Sequence, residues 1–234
     1  MSDNNTLSVR SSGAQAAAVP ADLDVKGIYR RLFDRYGDLR WWPAKTPFEV
    51  MIGAILTQNT AWRNVEKAIA NLPSDPVPEF IETIGAEDLA ALIKPAGFFN
   101  QKSVYLKALT AWYKTYNYSV DNVRKRPLHE LRTELLTVRG VGRETADSIL
   151  LYAFGFPAFV IDAYTLRLIM RLAYMPEPLG YNSAQLIFAS GLDASLYNNA
   201  HAMIVINAKE HCGAKPKCPG CPLCDICRHY RNSR

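Results

Sequence analysis

Several groups of residues in this chain have the types and spacing to do chemistry. All five cysteines lie between Cys212 and Cys227, and four form the set Cys212-x5-Cys218-x2-Cys221-x5-Cys227, with Cys224 as a fifth. Thiolates this close together select a soft metal, either zinc or an iron–sulfur cluster, and spacing alone does not choose between them. The segment Arg139-Gly140-Val141-Gly142-Arg143-Glu144-Thr145 joins the end of one helix to the start of another. Its glycines admit positive φ and close backbone approach. The unpaired N–H groups that open the second helix form an anion site, to which Arg139 and Arg143 add charge. Taken alone, the same pattern is also an ordinary helix–turn–helix corner. Asp162 follows the apolar run Phe156 to Ile161 at the start of a further helix. It can cap that helix and can equally hold a carboxylate at the mouth of a cleft. Trp41-Trp42-Pro43 places two indoles in succession, which suits either a core or one indole lining a cleft.

The elements that must position these groups are helical. From Asp22 onward apolar residues recur at three and four, as in Val25, Ile28, Tyr29, Leu32 and Phe33. Pro47-Phe48-Glu49 opens a helix behind the cap Thr46, and this helix ends near Gln58-Asn59-Thr60. A third helix covers about 61–72. Further helices are expected over 79–84, 87–93, 100–117, 127–136, 143–154, 162–173, 183–190 and 195–210. β-Branched alternation is scarce, so the fold class is all-α. Residues 1–21 are small and polar, and are read as a flexible tail without the features of a signal peptide.

Composition sets the outer limits. The chain has 234 residues, 49% hydrophobic and 21% charged, which excludes a wholly disordered or collagen-like protein. No run of about 18 apolar residues is present, so a membrane span is not expected. The net charge of +5 permits a polyanionic partner without demanding one. Clustered cysteines argue against a secreted disulfide scaffold, and the expected location is cytoplasmic, in association with the nucleoid.

Gly140-Val141-Gly142-Arg143-x-Thr145-Ala146, followed twenty residues later by Val160-x-Asp162, resembles the helix-hairpin-helix (HhH-GPD) DNA glycosylases of the endonuclease III type. The resemblance extends from about residue 32 to residue 227. It implies two helical domains with a DNA-binding cleft between them: a hairpin domain over 47–150, and a second domain joining 22–46 to 151–234. It also implies that Gly140, Val141, Gly142, Arg143 and Thr145 grip DNA phosphates, and that Asp162 is the catalytic carboxylate. A [4Fe-4S] cluster on Cys212, Cys218, Cys221 and Cys227 follows from the same likeness, although the first gap is one residue shorter than is usual in the family. Lyase members carry a lysine directly after Gly-Val-Gly-Arg. This chain has Glu144 there, and a carboxylate forms no imine.

Trp41-Trp42-Pro43, together with the segments 54–60 and 97–102, resembles the 3-methyladenine branch. The implied base pocket is Trp41, Trp42, Pro43 and Phe48, with Gln58 and Asn59 filling the gap left by an extruded nucleotide. A methylated purine is cationic, and an indole face attracts it by about 1–2 kcal/mol in a desolvated pocket. The expected activity is therefore monofunctional hydrolysis of damaged bases by a monomer on double-stranded DNA. The alternatives are an endonuclease III-like glycosylase for oxidised or mismatched pyrimidines, and a non-catalytic iron–sulfur DNA-binding protein.

Overall fold

The computed structural model describes residues 23–39, 41–74, 76–173, 175 and 179–233; the tail expected over 1–21 lies outside them. Among the described residues there are thirteen α-helices and no strand, so the all-α expectation holds. In chain order they are α1 (Val25–Tyr36), α2 (Pro47–Leu56), α3 (Trp62–Ala70), α4 (Pro78–Thr83), α5 (Ala86–Leu92), α6 (Phe99–Lys114) and α7 (Val120–Arg124). They continue with α8 (Leu128–Thr137), α9 (Arg143–Ser148), α10 (Ala163–Ala173), α11 (Tyr181–Gly191), α12 (Tyr197–Glu210) and α13 (Arg228–Asn232). None of these is long and apolar enough to cross a membrane.

Two differences from the sequence reading matter. The short helices α7 and α13 were not expected, because five residues carry too little periodicity to be seen. The helix expected over 143–154 is α-helical only to Ser148; residues Ile149–Ala153 form a π turn. Such wide turns re-aim side chains within a helix, and this one carries Tyr152.

Apolar residues gather in two clusters. One surrounds α2, whose sequence PFEVMIGAIL is apolar on every side and buried from Phe48 to Leu56. Thr46 Oγ1 accepts from the Glu49 amide at 3.1 Å, and Glu49 Oε2 accepts from the Lys45 amide at 2.9 Å, a reciprocal cap that fixes where α2 begins. The other cluster packs Val25, Ile28 and Leu32 of α1 against α10, α11 and α12, around the stacked rings of Phe159 and Phe188. The chain passes between the clusters through the loop before α2 and through the extended stretch after the π turn. Tyr152 packs against both clusters.

Candidate active site and nucleic-acid interface

Asp162 is placed by a buried extended stretch. Ala158, Phe159, Val160 and Ile161 are all at most 4% exposed, and they deliver Asp162 to the N-terminus of α10. There Oδ1 accepts from the Thr165 amide at 2.7 Å, so Asp162 caps the helix and keeps Oδ2 turned away from it. The stretch is anchored from outside: Gln185 Nε2 donates to the Phe159 carbonyl at 2.8 Å, and the Ile161 amide donates to Tyr181 Oη at 3.4 Å. The same Tyr181 and Gln185 donate to the fully buried Asp147, which also receives Arg132 at 2.7 and 3.0 Å.

Three further groups meet Asp162. His201, on α12 and 6% exposed, holds Nε2 at 3.5 Å from Asp162 Oδ2, a long contact rather than a formed hydrogen bond. Its Nδ1 lies 2.6 Å from Tyr152 Oη. Burial pushes the Asp162 carboxyl up, but His201 and the Thr165 amide more than offset this and hold it below the ordinary carboxylate range. Glu144, on the first turn of α9, is exposed. Even so, the protein packed around it and the nearby charge of Asp162 raise its carboxyl. The two carboxyls are thus driven in opposite directions. His201 and Tyr152 were missed in the sequence, since neither belongs to a local motif.

Trp41 and Trp42 line one cavity of about 310 Å³, with Ala44, Val50, Tyr152 and Asn198 among its other walls. Trp42 is held by Trp62 edge-on at 5.9 Å, by Tyr152 at 4.9 Å, and by Gly53, where an added Cβ would stand 3.2 Å from its ring. Lys209 sits over Trp41 at 5.3 Å, so one face of that indole already carries a cation. Pro43 is exposed and outside the cavity wall. Phe48 does not join the pocket: it is 6% exposed in the first core, stacked on Tyr113 at 6.2 Å.

At the hairpin, Gly140 takes φ +88° with the Tyr105 ring pressed against it, leaving no room for a Cβ. Gly142 is extended (φ −92°, ψ −179°) with open space around it, so only the first glycine uses its left-handed freedom. Gly142 and Arg143 are exposed. Val141 and Thr145 are instead buried, which takes their side chains out of reach of an external phosphate. Thr145 Oγ1 and the Gly140 carbonyl both accept from Gln58 Nε2, at 3.0 and 2.9 Å. Gln58 therefore ties the turn after α2 to the hairpin, while Asn59 (φ 51°) stands exposed beside it. Close by, Phe98 is left-handed (φ 47°) and 65% exposed. The two turns are joined by Lys102, 2% exposed, whose Nζ donates to the Leu56 carbonyl, Thr60 Oγ1 and the Ala96 carbonyl at 2.7, 2.8 and 2.9 Å.

The five cysteines are half-buried thiols around a common cavity that Arg171, Asn207 and His211 also line. Arg171 Nη1 donates to Cys212 Sγ at 3.3 Å and to the Gly213 carbonyl at 2.7 Å. Burial pushes the Cys221 thiol up to about 11 and raises Cys218, with charge on neighbouring sulfurs adding to both. Asn207 Nδ2 is buried without a hydrogen-bond partner, whereas His211 donates from Nδ1 to the Lys217 carbonyl at 3.0 Å, with Nε2 3.9 Å from Glu210 Oε2. Among the described residues, no three His, Cys, Asp or Glu side chains converge tightly enough for a single metal ion.

Against known proteins, residues 52–186 match the description "HhH-GPD superfamily base excision DNA repair protein". The chain is 43% identical over 197 residues to the "Putative DNA repair glycosylase MJ1434" of Methanocaldococcus jannaschii, covering 82% of this chain and 90% of that one. It is 28% identical over 178 residues to endonuclease III of Escherichia coli, covering 74% and 79%. Among solved structures, the H. pylori 3-methyladenine DNA glycosylase bound to 1,N6-ethenoadenine superposes with TM-score 0.71 at 29% identity, over 80% and 98% of the two chains. A trapped endonuclease III–DNA covalent intermediate superposes with TM-score 0.77 at 23% identity, over 89% and 96%, a likeness of fold. The chain belongs to the HhH-GPD superfamily, and is a DNA-binding glycosylase of base excision repair.

Proposed function

We propose that the protein is a monofunctional DNA glycosylase that hydrolyses the N-glycosidic bond of alkylated purines such as 3-methyladenine, leaving an abasic site. The carrying observation is the pair of carboxyls, Asp162 held low and Glu144 raised, with Glu144 at the position where lyase members of the family have their lysine. A carboxyl there offers no amine for imine chemistry, so water is the nucleophile. Asp162, held ionised, stabilises the cationic sugar and orients or deprotonates that water. The cavity beside Trp42 and Tyr152 supplies aromatic surface for a cationic base. A methylated purine departs neutral and needs little acid assistance. The 29% identity to a 3-methyladenine glycosylase supports this choice of substrate.

In this reading duplex DNA lies in a cleft between two domains, over 47–150 and over 22–46 with 151–234, although the first apolar cluster runs on to Ala158. Gly140, Gly142 and Arg143 meet the phosphates, and Asn59 and Phe98 enter the stack vacated by the extruded base. Cys212, Cys218, Cys221 and Cys227 hold a [4Fe-4S] cluster. Five thiols around one cavity, with an orphaned amide donor on Asn207, suit a polynuclear guest. The cluster would cross-link the loop rather than pass electrons, since glycosidic hydrolysis transfers none, and the positive charge of the loop comes from Lys215, Lys217, Arg228 and Arg231.

The test is incubation with a duplex containing one 3-methyladenine. Abasic product is expected, with no adduct after borohydride reduction, and Asp162→Asn abolishes turnover while leaving duplex binding intact. Full activity in that variant would falsify the role of Asp162. Excision of oxidised pyrimidines with a trapped adduct would transfer the protein to the endonuclease III reading. A brown preparation that bleaches in Cys227→Ala is expected for the cluster; a colourless one that contains zinc counts against it.

A further inference from the structure

His201 lies inside the second apolar cluster at 6% exposure, where a leucine would pack as well. Its ring is nevertheless committed at one end: Nδ1 lies 2.6 Å from Tyr152 Oη. Tyr152 Oη also lies 3.5 Å from the Asn198 carbonyl, a much longer contact; with the phenol donating to the nearer ring nitrogen, the proton is assigned to Nε2. Nε2 has no hydrogen-bond partner, and the acceptor it faces is Asp162 Oδ2 at 3.5 Å. A buried N–H left unmade is costly, and the cost is recovered when the gap closes by a few tenths of an ångström. Catalytic contacts are commonly long before substrate binds and tighten with it.

We propose that His201 is a positioning residue that links the wall of the base cavity, at Tyr152, to Asp162, and holds that carboxylate ionised and aimed at the sugar. The proposal rests on the role given to Asp162 above. Tyr152 lines the cavity and packs on Trp42, so a base lodged there fixes the phenol, the phenol fixes the imidazole tautomer, and the Nε2–H fixes Oδ2. The Thr165 amide occupies the other carboxylate oxygen. Burial works against ionisation of Asp162, and His201 opposes it. The titratable groups facing the His201–Asp162 pair are Tyr152 from the π turn and Glu144 from α9. On α1, packed along α12, Tyr36 turns instead to Asn207 and Glu210.

The test needs no knowledge of the preferred lesion. Duplexes carrying a pyrrolidine abasic-site analogue, whose ring nitrogen is cationic, are compared with duplexes carrying the uncharged tetrahydrofuran analogue, for the full chain across pH. The wild type is expected to prefer the cation, and to lose that preference in acid as Asp162 protonates. His201→Leu is expected to weaken the preference at least tenfold and to move its acidic limb to higher pH, while tetrahydrofuran affinity stays the same. His201→Gln, which keeps an N–H, recovers most of it. Tyr152→Phe, which deletes only a hydroxyl, shifts the limb the same way by less. An unmoved limb in His201→Leu, or equal loss of both affinities, means that His201 merely packs and overturns the proposal. If Asp162→Asn also keeps the wild-type preference, the carboxylate reading fails first and takes this inference with it.

Discussion

Asp162 does two jobs with one side chain, which is why a substitution there can be informative. Asparagine caps a helix as well as aspartate does, so Asp162→Asn removes charge and leaves the start of α10 in place. Glu144 presents the opposite case. Its carboxyl is raised in the folded protein, so it contributes most favourably below the ordinary carboxylate range, and that contribution is lost as pH rises through the folded value. Glu144→Gln is therefore expected to raise Tm at neutral pH, with the gain vanishing as pH falls toward 4, measured as Tm of both proteins over a pH series. An equal gain at every pH would mean that charge is not the cause. At this scale the sequence was a partial guide. Asp162, Glu144 and the cysteines were legible because each belongs to a short local pattern. His201 and Tyr152 were not, since their meaning arises from a contact across 49 residues of chain. The burial of the Phe48 and Thr145 side chains was not legible, because residue type says nothing of which way a helix turns them.

The elements show how little freedom the site leaves. Most helices were foreseeable from apolar period, and α2 stands out by being apolar all round. The π turn at Ile149–Ala153 was invisible, because a one-residue widening leaves the surrounding pattern unchanged. The hairpin turn depends on Gly140 in two ways: its φ is left-handed, and a Cβ would meet the Tyr105 ring at 2.1 Å. The turn is bolted to the loop after α2 by Gln58. Gly140→Ala is thus expected to displace the hairpin and the α2 turn together. Binding to undamaged duplex should fall uniformly across sequences, with the salt slope reduced by about one phosphate contact. Titrations at several salt concentrations read this directly. Unchanged affinity would detach the hairpin from DNA binding.

Across the molecule, the buried Asp147 gathers Arg132 from α8 with Tyr181 and Gln185 from α11, and through these reaches the stretch that carries Asp162. Asp147→Ala strands a part-buried guanidinium and is expected to cost about 3–5 kcal/mol in urea unfolding, without altering any group that touches DNA. A cost below 1 kcal/mol would show that apolar contact alone joins the parts. The two clusters themselves also differ in when they can exist. The first is built from residues 48–158 and is complete as soon as that length of chain has been made. The second must wait, because α1 packs against α12, and Tyr36 meets Asn207 171 residues further along the chain. During synthesis, the apolar stripe Val25, Ile28 and Leu32 is the first part of the second cluster to emerge from the ribosome and among the last to be covered, which makes it the natural place for a chaperone to hold the newborn protein.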